Sequence, residues 1–475
     1  MNIKHKSINC QLLFSKIGIA LLALFPLFLY GQETLTLEKC REMALENNKQ
    51  IAIAEQNKEK ASATVKAYRA NFLPKISATG LGYYTNMGND INVKIDDINL
   101  FNPDDLSGII PPALLPVVSE FSAISIPDLN FNLNLNNSYM AGVKVEQPIF
   151  TGGKVTSAYK MSKIGSQVAS LKQDLTEAEV ILQTDEAYWM YVRVMELKKS
   201  AEKYKAVVLE LHRVVENAWK AGIKSQNDVM KVQVKLNEAE LQLLQAENGV
   251  RLARMNLCHT IGLPLLSEIT MPESFDESLL LIDRNADVTS RPEYAMLTKQ
   301  IELKQQEKKL LRSDFLPNIG VMGGYNYMYG LKLNDEVLMN QGAFSAVVSV
   351  NIPLFHWGEG ANKIHVAKTD KKIAEIQRDE MVEKIQLELM QALNRYEESV
   401  LEVTLTNQSL KQAEENLKIS KNHYDAGMET LADYLEAQTI WQKASSDLIN
   451  AKAALKLSET YYTKAAGKLE VKKKN

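Results

Sequence analysis

Cysteine is nearly missing from this chain. Its 475 residues hold only 3 Cys, which excludes a disulfide-dense scaffold and a multi-Cys zinc or iron–sulfur centre. A basic surplus is missing too, since Lys and Arg total 55 against 58 acidic residues. A nucleic-acid binder carries the opposite balance, so no nucleic-acid partner is expected. Proline (13) and glycine (22) are scarce for this length, so long regular elements are expected. The only long apolar run lies within the first thirty residues. That excludes a polytopic helical membrane protein.

Lys4, Lys6 and Lys16 lead into a 14-residue apolar run at 17–30, followed by Gly31 and polar Gln32-Glu33. A cationic start, an apolar middle and a small-residue exit read as a secretory signal over 1–31. The run is short for an anchor helix. Removing it takes away three Lys and no acid, shifting the net charge from −3 to −6. Cys10 precedes the run, so it is no lipid-attachment site, and nothing suggests that Cys40 and Cys258 pair.

The remainder is duplicated. Phe72-Leu73-Pro74 recurs as Phe315-Leu316-Pro317, an offset of 243. Pro148-Ile149-Phe150 recurs as Pro353-Leu354-Phe355, and Ala221-Gly222-Ile223 as Ala426-Gly427-Met428, both at an offset of 205. The difference, 243 − 205 = 38 residues, is an insertion in the first half, located at 88–137 with five of the prolines and nine Asn.

After Gly222, apolar or small residues fall at Val229, Val232, Leu236, Ala239, Leu243, Ala246, Val250, Ala253 and Leu257. Alternating steps of three and four make a coiled-coil seam. Adding 205 gives a second seam, from Tyr434 through Ala437, Trp441 and Ala444 to Tyr462. Before each turn lies a proline-free helical stretch, 154–220 and 360–425, each a rod of roughly 90–100 Å.

Elsewhere the period changes to two. Ile319, Val321, Gly323, Tyr325, Tyr327 and Tyr329 alternate with Gly, Met and Asn; Phe344, Ala346, Val348, Val350, Ile352 and Leu354 form the return; Tyr139, Ala141, Val143 and Val145 match in the first half. The outgoing strand near 76–86 alternates less cleanly. Each strand has about the ~10 residues that a tilted membrane strand needs. Phe150, Phe355 and Trp357 sit near one end, and Tyr83, Tyr84, Tyr327 and Tyr329 near the other, like interfacial girdles. Four strands cannot close a barrel, and open edges are not tolerated in lipid. Two chains would give about 8 strands, a filled interior; three would give about 12, enough for a lumen.

Together these residues resemble the TolC family of outer-membrane efflux and secretion channels. The resemblance rests on Leu35-Thr36-Leu37 with Ala44-Leu45 and Asn47, both Phe-Leu-Pro marks, Gln147-Pro148-Ile149-Phe150 with Gly152-Gly153, Arg291-Pro292-Glu293, and both Ala-Gly turns followed by Asp228 and Asp433. It covers about 35–468. Asn48-Lys49 departs from the Asn-Pro of many relatives, and the first extracellular loop is long, with an Asn130–Asn136 alternation suggesting strands above the membrane.

The resemblance implies a mainly α fold with membrane β. Long antiparallel coiled-coil helices form a periplasmic α-barrel, and four strands per chain join a homotrimeric 12-stranded outer-membrane β-barrel. It further implies a periplasmic adaptor (membrane fusion protein) meeting the helical tips Ala221, Gly222, Ile223, Ala426, Gly427 and Met428, and an inner-membrane RND or ABC transporter as pump. The expected organisation is a signal at 1–31, N-terminal helices at 35–72, strand pair 1 at 73–150 with its loop at 88–137, helical hairpin 1 at 151–262, a linker at 263–290, a helix at 291–315, strand pair 2 at 316–355, hairpin 2 at 356–468 and a polar tail at 469–475.

Catalytic chemistry is absent. The six His are scattered, with no His-Glu-x-x-His. No phosphate-binding glycine loop occurs, and two Ser-x-x-Lys matches in Lys-rich helix lack partner motifs. No enzyme, cofactor or metal is expected. Asp425, Glu429 and Asp433 near the second turn are candidates to ring a gate, weighed against plain helix capping and solvation. The rival class is a periplasmic coiled-coil adaptor or scaffold without a pore, which would show one helical hairpin rather than two.

Overall fold

The computed structural model describes residues 35–85, 88–93, 98–99, 102, 123–124, 129–134, 137–271, 275, 282, 287, 289, 291–333 and 336–469. The expected signal, much of the 88–137 loop, most of the linker and residues 470–475 of the tail lie outside these. The chain forms two compact units, one from Met1–Asn57, Ser170–Met296 and Asp379–Asn475, the other from Lys58–Ala169 and Leu297–Arg378.

Seven helices carry most of the described residues: α1 (Leu37–Asn47), α2 (Lys49–Ala70), α3 (Lys154–Lys220), α4 (Gln226–Thr260), α5 (Pro292–Ser313), α6 (Glu359–Asp425) and α7 (Leu431–Ala465). The duplication is plain in their lengths: α3 and α6 have 67 residues each, α4 and α7 have 35 each. Local chemistry sets several boundaries. Asn48 breaks α1 from α2: its backbone is extended, its side chain accepts from Gln50 N at 2.8 Å and donates to Thr260 O at 2.9 Å. Asn48 thus caps α2, and Lys49 takes the first-turn position a proline could occupy. Pro292 opens α5, where its missing N–H costs nothing. The buried Arg291 beside it donates to Glu293 and to Glu388, each at 2.7 Å, tying the start of α5 to α6.

In the first unit the seam positions lie inside. Val232, Leu236, Ala239, Ala253 and Leu257 of α4 are buried, and the other four positions of that seam are half-buried. In α7 the matching row is buried or half-buried throughout, and a second stripe with Leu431, Leu435, Gln438 and Ala453 is buried as well. One apolar cluster gathers Leu35, Cys40 and Ala44 with Val180, Tyr188, Trp189 and Leu257. Beside it the fully buried carboxylate of Asp185 accepts from Arg41 Nε at 2.7 Å and from Thr460 Oγ1 at 2.8 Å, joining α1, α3 and α7. Burial pushes the Cys40 thiol up to about 12, so it stays a neutral packing group.

The second unit contains the strands β1 (Lys75–Tyr83), β2 (Gly88–Val93), β3 (Ile98–Asn99), β4 (Ala123–Ile124), β5 (Leu129–Asn134), β6 (Ser138–Thr151), β7 (Asn318–Leu333) and β8 (Glu336–Asn351). Four of them form an antiparallel run, β1–β6–β7–β8. The 88–137 insertion forms the β2–β5 hairpin, whose Leu133 and Asn134 pair with Leu333 and Lys332 at the end of β7. β7 and β8 have 16 residues each, longer than the alternation alone suggests. β8 stops at Asn351, short of Pro353, which has no N–H to give to a ladder. β6 continues past Pro148 only by shifting register between Pro148 and Phe150.

Candidate functional site

Two features carry the chemistry, one in each unit. In the first unit it is the pair of turns. Gly222 and Gly427 adopt φ of +77° and +76°, which an L side chain rarely takes. Around each, two hydrogen bonds close the preceding helix: Gly222 N to Trp219 O and Ile223 N to Ala218 O, both 2.8 Å, then Gly427 N to Tyr424 O at 3.0 Å and Met428 N to His423 O at 2.8 Å. This is a Schellman-type end, with glycine where the chain reverses. The next helices open with capping boxes. Asp228 N donates to Ser225 Oγ and Asp433 N to Thr430 Oγ1, each at 3.2 Å, while the carboxylates accept from the cap backbones. Hydrogen bonds from the Ser225 and Thr430 side chains hold both aspartates below the usual carboxylate range.

All six tip residues are exposed. Two are large and apolar, Ile223 at 75% and Met428 at 69% exposure. The two turns lie near each other: Lys224 Nζ sits 4.8 Å from the Tyr424 ring centroid, and Tyr424 stacks on Tyr434 at 5.3 Å. Behind them, one cluster joins Val208, Val215 and Val232 of the first hairpin to Leu431 and Leu435 of the second.

The three acidic candidates have different surroundings. Asp433 is engaged in its capping box. Glu429 accepts from Ser420 Oγ at 2.5 Å and lies 3.3 Å from His423 Nδ1. Asp425 is exposed at the end of α6. Sequence reasoning singled out the aspartates but passed over Ser225 and Thr430. The Ser/Thr-x-x-Asp spacing at both turns was the available signal.

In the second unit the feature is the sheet. Register puts Ile76 and Ala78 of β1, Tyr139, Val143 and Val145 of β6, Val321 and Tyr325 of β7, and Phe344 and Val348 of β8 on one face. The other face carries Ser77, Thr79, Lys144, Glu146, Asn326, Ser345 and Ser349. Accessibility alternates along β6, with the apolar residues exposed and their polar neighbours half-buried. Phe344 is 87% exposed. A water-soluble sheet has the reverse order, apolar in and polar out. β1 and β8 each pair on one side only among the described residues.

At the strand-to-helix turn the duplication extends to the backbone. Gly152 and Gly153 have φ of +59° and +89°, and Trp357 and Gly358 repeat them at +48° and +81°. A Cβ at Gly152 would lie 2.7 Å from Leu316 Cβ and 2.8 Å from Ser313 O, so space as well as φ requires glycine there. Among the described residues no His, Cys, Asp and Glu group could hold a metal, and no helix is long and apolar enough to cross a membrane.

Duplicated helical hairpins with capped tips, together with a sheet that has one apolar face and, among the described residues, two open edges, define the class of outer-membrane efflux channels. The chain belongs to that family: the model described as outer membrane efflux protein matches residues 40–263 and 288–468. Alkaline protease secretion protein AprF of Pseudomonas aeruginosa is 20% identical over 325 residues, 66% of this chain and 67% of AprF. Outer membrane protein TolC of Vibrio cholerae is 22% identical over 377 residues, 75% of this chain and 83% of TolC. In fold, the chain is similar to the Campylobacter jejuni CmeC outer membrane channel, with a TM-score of 0.72, 19% identity and coverage of 92% of this chain and 87% of CmeC. The family expected from the residues is therefore shown, and with it a mainly helical fold carrying a few strands, as in the solved outer-membrane channels.

Proposed function

We propose that three copies of this chain form one passive conduit from periplasm to exterior. Each contributes β1, β6, β7 and β8 to a 12-stranded barrel, the free edge of β1 pairing with the free edge of β8 on the next copy. The observation that carries this reading is the sheet, which has one apolar face, exposed in alternation along β6, and two outer edges that pair on one side only among the described residues. In hydrocarbon such edges are tolerated only when the barrel closes. The long helices then form a second barrel in the periplasm, and the chain resides in the outer membrane in contact with its lipid.

Substrates reach the conduit from an inner-membrane RND or ABC pump through a periplasmic adaptor. The adaptor docks on Ala221, Gly222, Ile223, Ala426, Gly427 and Met428, where exposed Ile223 and Met428 offer apolar contact on a rigid, capped turn. The tips also form the gate, opening by shear of helix pairs when the adaptor binds the open form more tightly. Of the candidate gate carboxylates, Asp425 is the one free to line a constriction, while Asp433 and Glu429 hold the local turn. The chain supplies a path and no catalysis, cofactor or metal.

The test is single-channel recording of the purified protein in planar bilayers. Discrete cation-conducting openings are expected, with a lower cation preference in Asp425→Asn. A protein that never conducts, even with its periplasmic tips trimmed, contradicts the reading.

A further inference from the structure

A cavity of about 470 Å³ opens where α2 runs into β1, lined by Lys66, Arg69, Ala70, Phe72, Leu73 and Tyr159. Two chemistries meet in it. Lys66 and Arg69 stand three residues apart on one helix face. Phe72 packs edge-on against Tyr159 at 5.6 Å, and Lys163 Nζ lies 5.3 Å from the Tyr159 ring centroid. No carboxylate lines the cavity. Among the described residues Lys66, Arg69 and Lys163 make no ion pair, and the contact of Lys163 is with the Tyr159 ring. That contrasts with the same unit's Lys299, Lys304 and Lys363, each paired with a glutamate three or four residues away.

The apolar side of the cavity runs on toward the sheet. Phe72 also lines a neighbouring pocket with Ile149 and Phe150. Its carbonyl accepts from Gln147 Nε2 at 3.2 Å. Phe150 aligns with Ile319 on the apolar face. Leu73 and Ile76 are 61% and 73% exposed.

We propose that this cavity binds an anionic phospholipid of the adjacent leaflet. Lys66, Arg69 and Lys163 take the headgroup phosphate, and an acyl chain lies along Leu73, Ile149 and Phe150. Three exposed cations without counter-charges are complementary to an anion, and the apolar path leading from them toward the sheet is complementary to a chain attached to it. The assignment rests on the membrane placement under Proposed function.

Native mass spectrometry of the full-length protein in nonionic detergent tests it, with phosphatidylglycerol and phosphatidylcholine of matched chains as probes. Phosphatidylglycerol is expected to be retained in preference to phosphatidylcholine. The Lys66→Gln/Arg69→Gln variant is expected to bind it about thirtyfold more weakly, as two interfacial cations imply. Inorganic phosphate at millimolar excess is expected not to displace it. Equal retention of the two lipids, no loss in the variant, or displacement by inorganic phosphate overturns the proposal, the last by assigning the site to a free anion. If the double variant alters assembly, Lys163→Gln carries the same comparison. A detergent-requiring oligomer that ignores phosphatidylglycerol refutes this site alone, whereas a water-soluble monomer refutes the membrane reading beneath it.

Discussion

At the scale of single residues, the turns concentrate the sharpest constraints. A Cβ at Gly427 would meet nothing within 4 Å, so substitution there probes backbone conformation alone. Gly427→Ala is expected to cost about 1 kcal/mol, speeding hydrogen exchange of the turn amides about fivefold. Gly427→Asn, which tolerates positive φ, should cost less; equal exchange in all three proteins would contradict the account. Asp433 makes a pH-dependent contribution. Its folded carboxyl titrates below the ordinary 3.8, so its stabilisation is complete above that value and disappears as pH falls through the lowered one. Wild type should therefore protect its tip better than Asp433→Asn at about pH 6, with the gap narrowing as pH falls below the ordinary 3.8. A gap that persists in acid would mean that the charge is not what matters. The glycines were legible in the sequence because a turn between two heptad patterns demands them. The acidic residues were not, because an aspartate beyond a turn suits both a cap and a pore, and only the hydroxyl three residues earlier separates the two uses.

At the scale of elements, periodicity carried most of the information. The α4 seam is a step pattern of three and four, and all nine positions are buried or half-buried. The second buried stripe of α7 was missed because its residues are mixed in character: Gln438, Lys456 and Thr460 do not read as core. They are buried because α7 packs against more than one neighbour, which a single seam cannot report. In the sheet, alternation identifies the phase of β6, β7 and β8, and less cleanly that of β1, but not the strand ends. Those depend on whether a proline meets a bulge, as at Pro148, or ends the ladder, as at Pro353. Which face meets lipid is open to test. Phe344→Arg places a charge on the apolar face at mid-strand, an expected cost of about 2–4 kcal/mol in a membrane barrel. Ser345→Arg places the same charge on the opposite face and should be accepted. Heat-resistant oligomer on a gel reads the difference, and equal loss from both variants would exclude a lipid-facing row.

At the scale of the whole molecule, the family model spans both repeats, and the resemblance to solved channels covers nine-tenths of the chain. The duplicated order of weak motifs made the class readable from residues alone. The 88–137 insertion was located by an offset difference, but its β2–β5 hairpin and the joint to β7 follow from long-range pairing that local pattern does not encode. Stoichiometry depends on something that one chain cannot satisfy by itself, the outer edges of β1 and β8. The most direct measurement is therefore the mass of the protein extracted in detergent. Three chains per particle is the predicted result. A monodisperse single chain that stays dissolved once detergent is withdrawn would contradict it.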